Sequence, residues 1–136
     1  MQMSPYLSFN GQCEAAFAFY EQSLGGKIIA KLTYGETPMA KDMPADRRNR
    51  IAHARLQLGD QLLMGSDSPP DHYEPMQGFS VTLAVATPAE ADRVFHALAE
   101  KGTVRMPIQK TFWSARFGML VDKFGTPWMI NCEQAP

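Results

Sequence analysis

The chain has 136 residues, 45% of them apolar and 20% charged, with a formal net charge of −1. These values suit one folded unit with a sizeable core, exclude a disordered chain, and leave no positive field to draw nucleic acid or anionic lipid. No apolar run approaches the roughly 20 residues of a membrane span, and the opening MQMSPYLSFNG has no basic-then-hydrophobic leader. Two cysteines, Cys13 and Cys132, make no disulfide framework, so the expectation is a cytoplasmic protein with reduced thiols.

Residues 5 to 10 read as a short strand. A helix follows in which Cys13, Ala16, Phe17, Tyr20 and Leu24 recur at helical spacing, with Asn10 placed to cap it and Gly25-Gly26 to end it. Residues 27 to 34, KIIAKLTY, have strand composition. Residues 35 to 49 are too polar and too punctuated for a regular element. Their basic cluster Arg47, Arg48 and Arg50 follows Asp42 and Asp46 and reads as a solvated loop. IAHARLQL and QLLMGS then flank Gly59-Asp60 as two strands of a tight hairpin, glycine supplying the positive φ such turns need.

After a connector with Pro69, Pro70 and Pro75, residues 79 to 86 read as a strand. Thr87-Pro88-Ala89-Glu90 starts a second helix, with a capping threonine, proline at the first helical position and glutamate at the third. Its apolar stripe is Ala91, Val94, Phe95 and Leu98, and Gly102 is placed to close it. Residues 103–108, 116–122 and 127–132 supply three more strands. The order strand, helix, three strands thus occurs twice. At an offset of 76, Glu14 matches Glu90, Ala15 matches Ala91, Phe19 matches Phe95 and Gly26 matches Gly102, which favours an internal duplication over chance likeness of two amphipathic helices.

Two βαβββ modules in succession resemble the vicinal-oxygen-chelate superfamily, the glyoxalase and bleomycin-resistance fold. PYLSFNGQCEAAFAFYEQSLGG resembles the strand-helix opening of its PhnB-like members, and TFWSARFGMLVDKFGTPWMI their C-terminal module, with Trp before a Gly-bearing strand and a D-x-F-G turn before the last one. The resemblance implies an α+β fold of one domain. Its modules, approximately residues 1–67 and 78–136, would form a curved, barrel-like mixed sheet with helices on the outer face. It also implies a homodimer, an expectation to which nine Met and eight Phe in so small a chain add weight. The superfamily holds isomerases, lyases, dioxygenases, epoxide-opening transferases and non-catalytic binders, so fold does not settle activity. PhnB-like proteins also carry the name demethylubiquinone methyltransferase, yet this chain has no Gly-rich strand-helix turn of the kind common methyltransferases use for their cofactor.

Metal-using relatives hold a divalent ion with His, Glu or Gln. Carried over, the ligand positions fall at Pro5, Met64, Ser80 and Met129, which lack the N and O donors such a cation needs. No metal and no cofactor is therefore expected, although a shift of one or two residues would bring Glu133 or Asp67 into play. His53, His72 and His96 have no ligand spacing among them.

The hairpin register places His53, Arg55, Met64 and Ser66 on one sheet face. The same parity turns Ser80, Thr82 and Ala84 towards a cavity and Val81, Leu83 and Val85 towards a helix. Leu7, Phe9 and Asn131 are assigned to the cavity side, and the resemblance adds Trp113 and Arg116. His53, Arg55, Ser66, Thr82, Trp113 and Arg116 are thus the candidate ligand-binding residues. Each has a plainer reading: His53 as a hydrogen-bonded strand residue, the arginines as structural charges, Phe112 and Trp113 as core or interface anchors. Ser66 and Ser114 lack the neighbours of a nucleophile. The first functional reading is a metal-independent binder of a small molecule. The second is an enzyme of the superfamily, a lyase, isomerase or transferase, with His53 as base and Arg55 or Arg116 holding an anion.

Overall fold

Alternation of apolar and polar residues across the Gly59-Asp60 turn produces the expected hairpin. In the computed structural model, which describes residues 1–133, β3 (Ile51–Leu58) pairs antiparallel with β4 (Gln61–Asp67). Leu58 faces Gln61, Gln57 faces Leu62, Leu56 faces Leu63 and Arg55 faces Met64, in the register read from sequence. Contacts divide the chain into one unit from Met1 to Pro75 and a second from Met76 onward.

In the first unit, β1 (Tyr6–Phe9) runs parallel to β4, and β2 (Lys27–Thr33) antiparallel to β3, giving the order β1-β4-β3-β2. Helix α1 (Cys13–Leu24) covers one face of this sheet. Cys13, Ala16, Phe17 and Tyr20 from the helix and Leu7, Phe9, Ala54, Leu56 and Leu63 from the strands are all buried there. The assignment of Leu7 and Phe9 to the cavity side is therefore corrected: Leu7 pairs with Gly65 and Phe9 with Asp67, on the helix face, and the Phe9 and Phe17 rings meet edge to face at 6.3 Å. Burial of two large apolar side chains outweighs any polar use of that strand.

The start of α1 also differs from expectation. Asn10 does not cap it; its side chain accepts instead from Arg50 Nη1 at 3.3 Å. The helix start is met from a distant strand by Asp67, only 1% exposed, whose Oδ1 accepts from Gly11 N at 2.8 Å and Cys13 N at 3.0 Å. Its Oδ2 accepts from Ile51 N at 2.8 Å. The span expected to be irregular holds three 3₁₀ turns, Tyr34–Glu36, Pro38–Asp42 and Ala45–Arg47. Such turns close on local i→i+3 bonds and need no apolar periodicity. The first has a capping box in which Thr33 N and Oγ1 donate to Glu36 Oε1, and these two bonds hold the Glu36 carboxyl below the usual carboxylate range.

The second unit repeats the plan. β5 (Val81–Ala84), shorter than read from sequence, runs parallel to β8 (Pro127–Glu133), with β7 (Ser114–Val121) and β6 (Thr103–Gln109) completing the order β5-β8-β7-β6. Helix α2 (Pro88–Ala99) starts as predicted, Thr87 Oγ1 accepting from Glu90 N at 3.1 Å. Its buried Ala91, Val94, Phe95 and Leu98 pack over Leu120, Trp128 and Ile130. The D-x-F-G turn closes on Asp122, which accepts from Phe124 N, Thr126 N and Trp128 Nε1 at 2.8 to 3.0 Å.

The identical strand orders bear out the repeat, but the helices align one residue away from the letter match. Ala16, Tyr20 and Ser23 are buried as Ala91, Phe95 and Leu98 are, whereas Ala15 is exposed. Only the glycines keep the offset of 76. A Cβ on Gly26 would lie 2.7 Å from the Gln57 carbonyl oxygen, and one on Gly102 would lie 2.4 Å from that of Val121. Gly102 does not supply the left-handed turn after α2; Lys101 does, at φ 58°.

Candidate functional site

Strand parity in the first unit leaves one face of the sheet uncovered by α1. On it stand Tyr6 and Ser8 from β1, Met64 and Ser66 from β4, and His53 and Arg55 from β3, with Leu32 opposite His53 on β2. His53, Arg55, Met64 and Ser66 are half-buried. Tyr6 Oη lies 3.2 Å from His53 Nδ1, and the two rings stack at 5.8 Å with 23° between their planes. Arg55 Nε is buried and has no hydrogen-bond partner among the described residues. The structure thus brings three of the six expected residues, His53, Arg55 and Ser66, onto one face. Tyr6 and Ser8 were missed. The signal was present: taking Leu7 and Phe9 as the apolar alternates puts Tyr6 and Ser8 on the polar face.

In the second unit Thr82 and Ala84 are exposed on the face away from α2, paired with Met129 and Asn131, as expected. Val81 and Leu83 pair with buried Trp128 and Ile130. Trp113, 49% exposed, precedes β7 and meets the rings of Phe112 at 4.7 Å and Phe117 at 5.6 Å. Phe117 pairs with Asn131 and so lies on the open face with Thr82. Arg116 does not. Opposite buried Cys132, it turns to the helix side, where its Nε is 3.2 Å from Asp92 Oδ1 of α2. A register irregularity between Ser114 and Arg116 marks this point; the contact with Asp92 is an ion pair only, and Arg116 Nε, like Arg55 Nε, is buried without a hydrogen-bond partner among the described residues.

The divalent metal that the resemblance implies does not fit the residues present. Pro5 precedes β1 and offers only its carbonyl, which accepts from Met64 N at 3.1 Å. Met64 and Met129 present thioethers, and Met129 stands between Thr82 and Met119. Of the residues one slip away, Asp67 lies on the helix side with three backbone N–H groups on its carboxylate, and Glu133 ends β8 exposed. Among the described residues no three His, Cys, Asp or Glu side chains stand together as donors.

Two βαβββ units, each with a helix on one sheet face and polar alternates on the other, define a protein of the glyoxalase/bleomycin-resistance α+β fold. A glyoxylase/bleomycin resistance protein/dioxygenase domain from Frankia has the same fold at a TM-score of 0.66 and 12% identity, over 98% of this chain and 95% of that one. More particularly, the chain belongs to the PhnB-like 3-demethylubiquinone-9 3-methyltransferase family, whose model matches residues 1–131. It is 38% identical to Protein YjdN of Escherichia coli K12, over 96% of this chain and 95% of that protein. Among solved structures it is similar to protein PA1353 from Pseudomonas aeruginosa, at 50% identity and a TM-score of 0.91 over 99% of both chains. It is also similar to a putative 3-demethylubiquinone-9 3-methyltransferase, PhnB protein, from Bacillus cereus, at 28% identity and a TM-score of 0.82 over 97% of this chain and 99% of that one.

The family's name implies a methyl donor, and the residues do not fit the common binding site for one. That site uses a Gly-rich turn whose free helix N-terminus faces the cofactor on a parallel sheet. Here the β1–α1 turn is Asn10-Gly11-Gln12, Asp67 occupies the helix start, and each sheet has a single parallel pair. No helix of the described residues is long and apolar enough to cross a membrane.

Proposed function

We propose that this chain is a metal-independent, cytoplasmic small-molecule-binding protein that takes an oxygenated, anionic ligand on the open face of its first sheet. The observation that carries this reading is Arg55. A guanidinium N–H buried without a partner carries a desolvation cost that a ligand oxygen would offset, and a flat five-donor fork suits a carboxylate or phosphate. Ser66 and the Tyr6–His53 pair supply further donors and acceptors on the same face. Arg116, on the helix side of the second sheet in an ion pair with Asp92, leaves the set.

The test is a titration of the protein with phosphate, oxalate and acetate, following the Arg Nε–H resonances by NMR. The expected result is a shift at Arg55 that Arg55→Gln abolishes. A silent Arg55, or ligand shifts that survive Arg55→Gln, overturns the assignment. Protein prepared without chelator should carry far less than one equivalent of nickel, zinc, manganese or iron; a stoichiometric ion would refute metal independence. The chain also pairs as a homodimer in this reading, which is supported by the exposed apolar side chains of Ile29, Leu32, Phe79 and Phe112. Light scattering at the 15.1 kDa of a single chain counts against it.

One observation favours the enzymatic alternative, a lyase, isomerase or transferase. In the tautomer whose Nδ1–H donates to Tyr6 Oη, His53 keeps Nε2 as a base held by a stacked ring, with Arg55 to hold the substrate's anion.

A further inference from the structure

The polar span between β2 and β3 does more than connect them. Its 3₁₀ turns and the segment after β4 line a half-open cavity of about 210 Å³ within the first unit, distinct from the residues of the open sheet face. Met39, Met43 and Pro44 from the turns and Pro69 and Pro70 from the far segment make its wall largely apolar. Methionine thioethers adapt to irregular apolar bodies. At about 30 Å³ for each water-sized volume, the space takes roughly seven non-hydrogen atoms.

Two members of the basic cluster line this cavity instead of standing in solvent. Arg47 and Arg50 are both half-buried there, while Asp42, the carboxylate on the same wall, is exposed and screened. Arg50 is engaged, donating to Asn10 Oδ1. Arg47 makes no ion pair among the described residues. Tyr34 also lines the cavity, but its hydroxyl donates to the Asp67 carbonyl at 2.7 Å, and burial, with Asp67 adding, raises its pKa, so it stays a neutral, committed donor. An anion entering the cavity meets the Arg47 guanidinium, with Arg50 beside it, which spends only one of its five donors on Asn10.

We propose that this cavity binds a small monoanion with an apolar body, a short-chain aliphatic carboxylate, its head on Arg47 and its tail between Met39, Met43 and the prolines. A carboxylate matches the guanidinium fork with two parallel hydrogen bonds, and the apolar wall disfavours a second charge at the other end.

The experiment is an amide NMR titration of the full chain with hexanoate, hexanol, hexylamine and acetate. Hexanoate is expected to shift residues 34 to 47 and Ser68, and to bind at least tenfold more tightly than hexanol, acetate or hexylamine. Arg47→Gln should weaken hexanoate at least tenfold and leave hexanol binding unchanged, which also reports an intact cavity. Arg55→Gln should leave hexanoate binding here unchanged, so this site and the sheet face fail or stand separately. Equal binding of hexanoate and hexylamine, acetate binding as well as hexanoate, indifference to Arg47→Gln, or shifts confined to the Tyr6, His53 and Arg55 face would each overturn the proposal.

Discussion

Replacing Asp67 by alanine removes the acceptor for three backbone N–H groups, those of Gly11, Cys13 and Ile51, at 2.8 to 3.0 Å. The Cys13 and Ile51 bonds are buried. Leaving a buried donor unsatisfied costs about 1 to 3 kcal/mol, so the two together set a loss of about 2 to 6 kcal/mol, with a smaller addition from the partly buried Gly11. That is a large share of the about 5 to 15 kcal/mol that holds a domain of this size folded. Asp67→Asn keeps one acceptor oxygen but points an amide donor at a second donor, and should cost about half as much by the same reasoning. Urea unfolding followed by far-UV circular dichroism measures both variants against the native chain. A loss below about 1 kcal/mol for Asp67→Ala, with the denaturant dependence unchanged, would refute the view that one distant carboxylate organises the β1–α1 turn and the start of β3.

Burial, reinforced by Asp67 and Glu14, raises the Cys13 thiol far above the ordinary thiol range. The unfolded chain releases this proton near pH 8.5 and the folded chain does not, so stability is full below about pH 8.5 and falls as pH rises beyond it. Unfolding midpoints between pH 8 and 10 should show that decline and Cys13→Ala should flatten it; an unchanged slope, or rapid reaction of Cys13 with a thiol reagent in native protein, contradicts the burial. Gly102→Ala would put a Cβ 2.4 Å from a backbone oxygen and 3.0 Å from Asp122 Cα, and should cost about 1 to 3 kcal/mol or prevent folding. Gly59→Ala, in open space at φ 64°, should cost only about 1 to 2 kcal/mol of backbone strain, and equal costs with a folded Gly102→Ala protein would remove the close approach as the explanation. Trp113→Ala, at a half-exposed ring, should cost under about 2 kcal/mol, against about 3 to 5 for Trp128→Ala at 1% exposure; thermal unfolding ranks the two, and a reversed order makes Trp113 a core residue.

By itself the sequence determined the two helices and the strands to within a few residues, the repeated order of elements and the register around Gly59-Asp60, because those follow from periodicities of two and 3.6 residues and from a glycine at a tight turn. The same local pattern placed His53, Arg55, Ser66 and Thr82 on their faces. What failed did so where the deciding partner lies far along the chain. Asn10 has the chemistry of a cap, yet Asp67 arrives from β4 with two oxygens and takes the helix start. Arg116 stands on the helix side, beside Asp92 of α2, because the register of β7 against β8 slips between Ser114 and Arg116, an irregularity that no pattern around β7 reveals. Leu7 and Phe9 went to α1 because burial is decided by what covers a strand, and that covering element is set by packing. Arg47 reads as a solvated charge in a polar run, and becomes a cavity wall only once 3₁₀ turns fold that run against Pro69 and Pro70. Local propensity is written in neighbours a few residues apart, whereas the partner of a charge and the cover of a face depend on distances through space that only the folded chain defines.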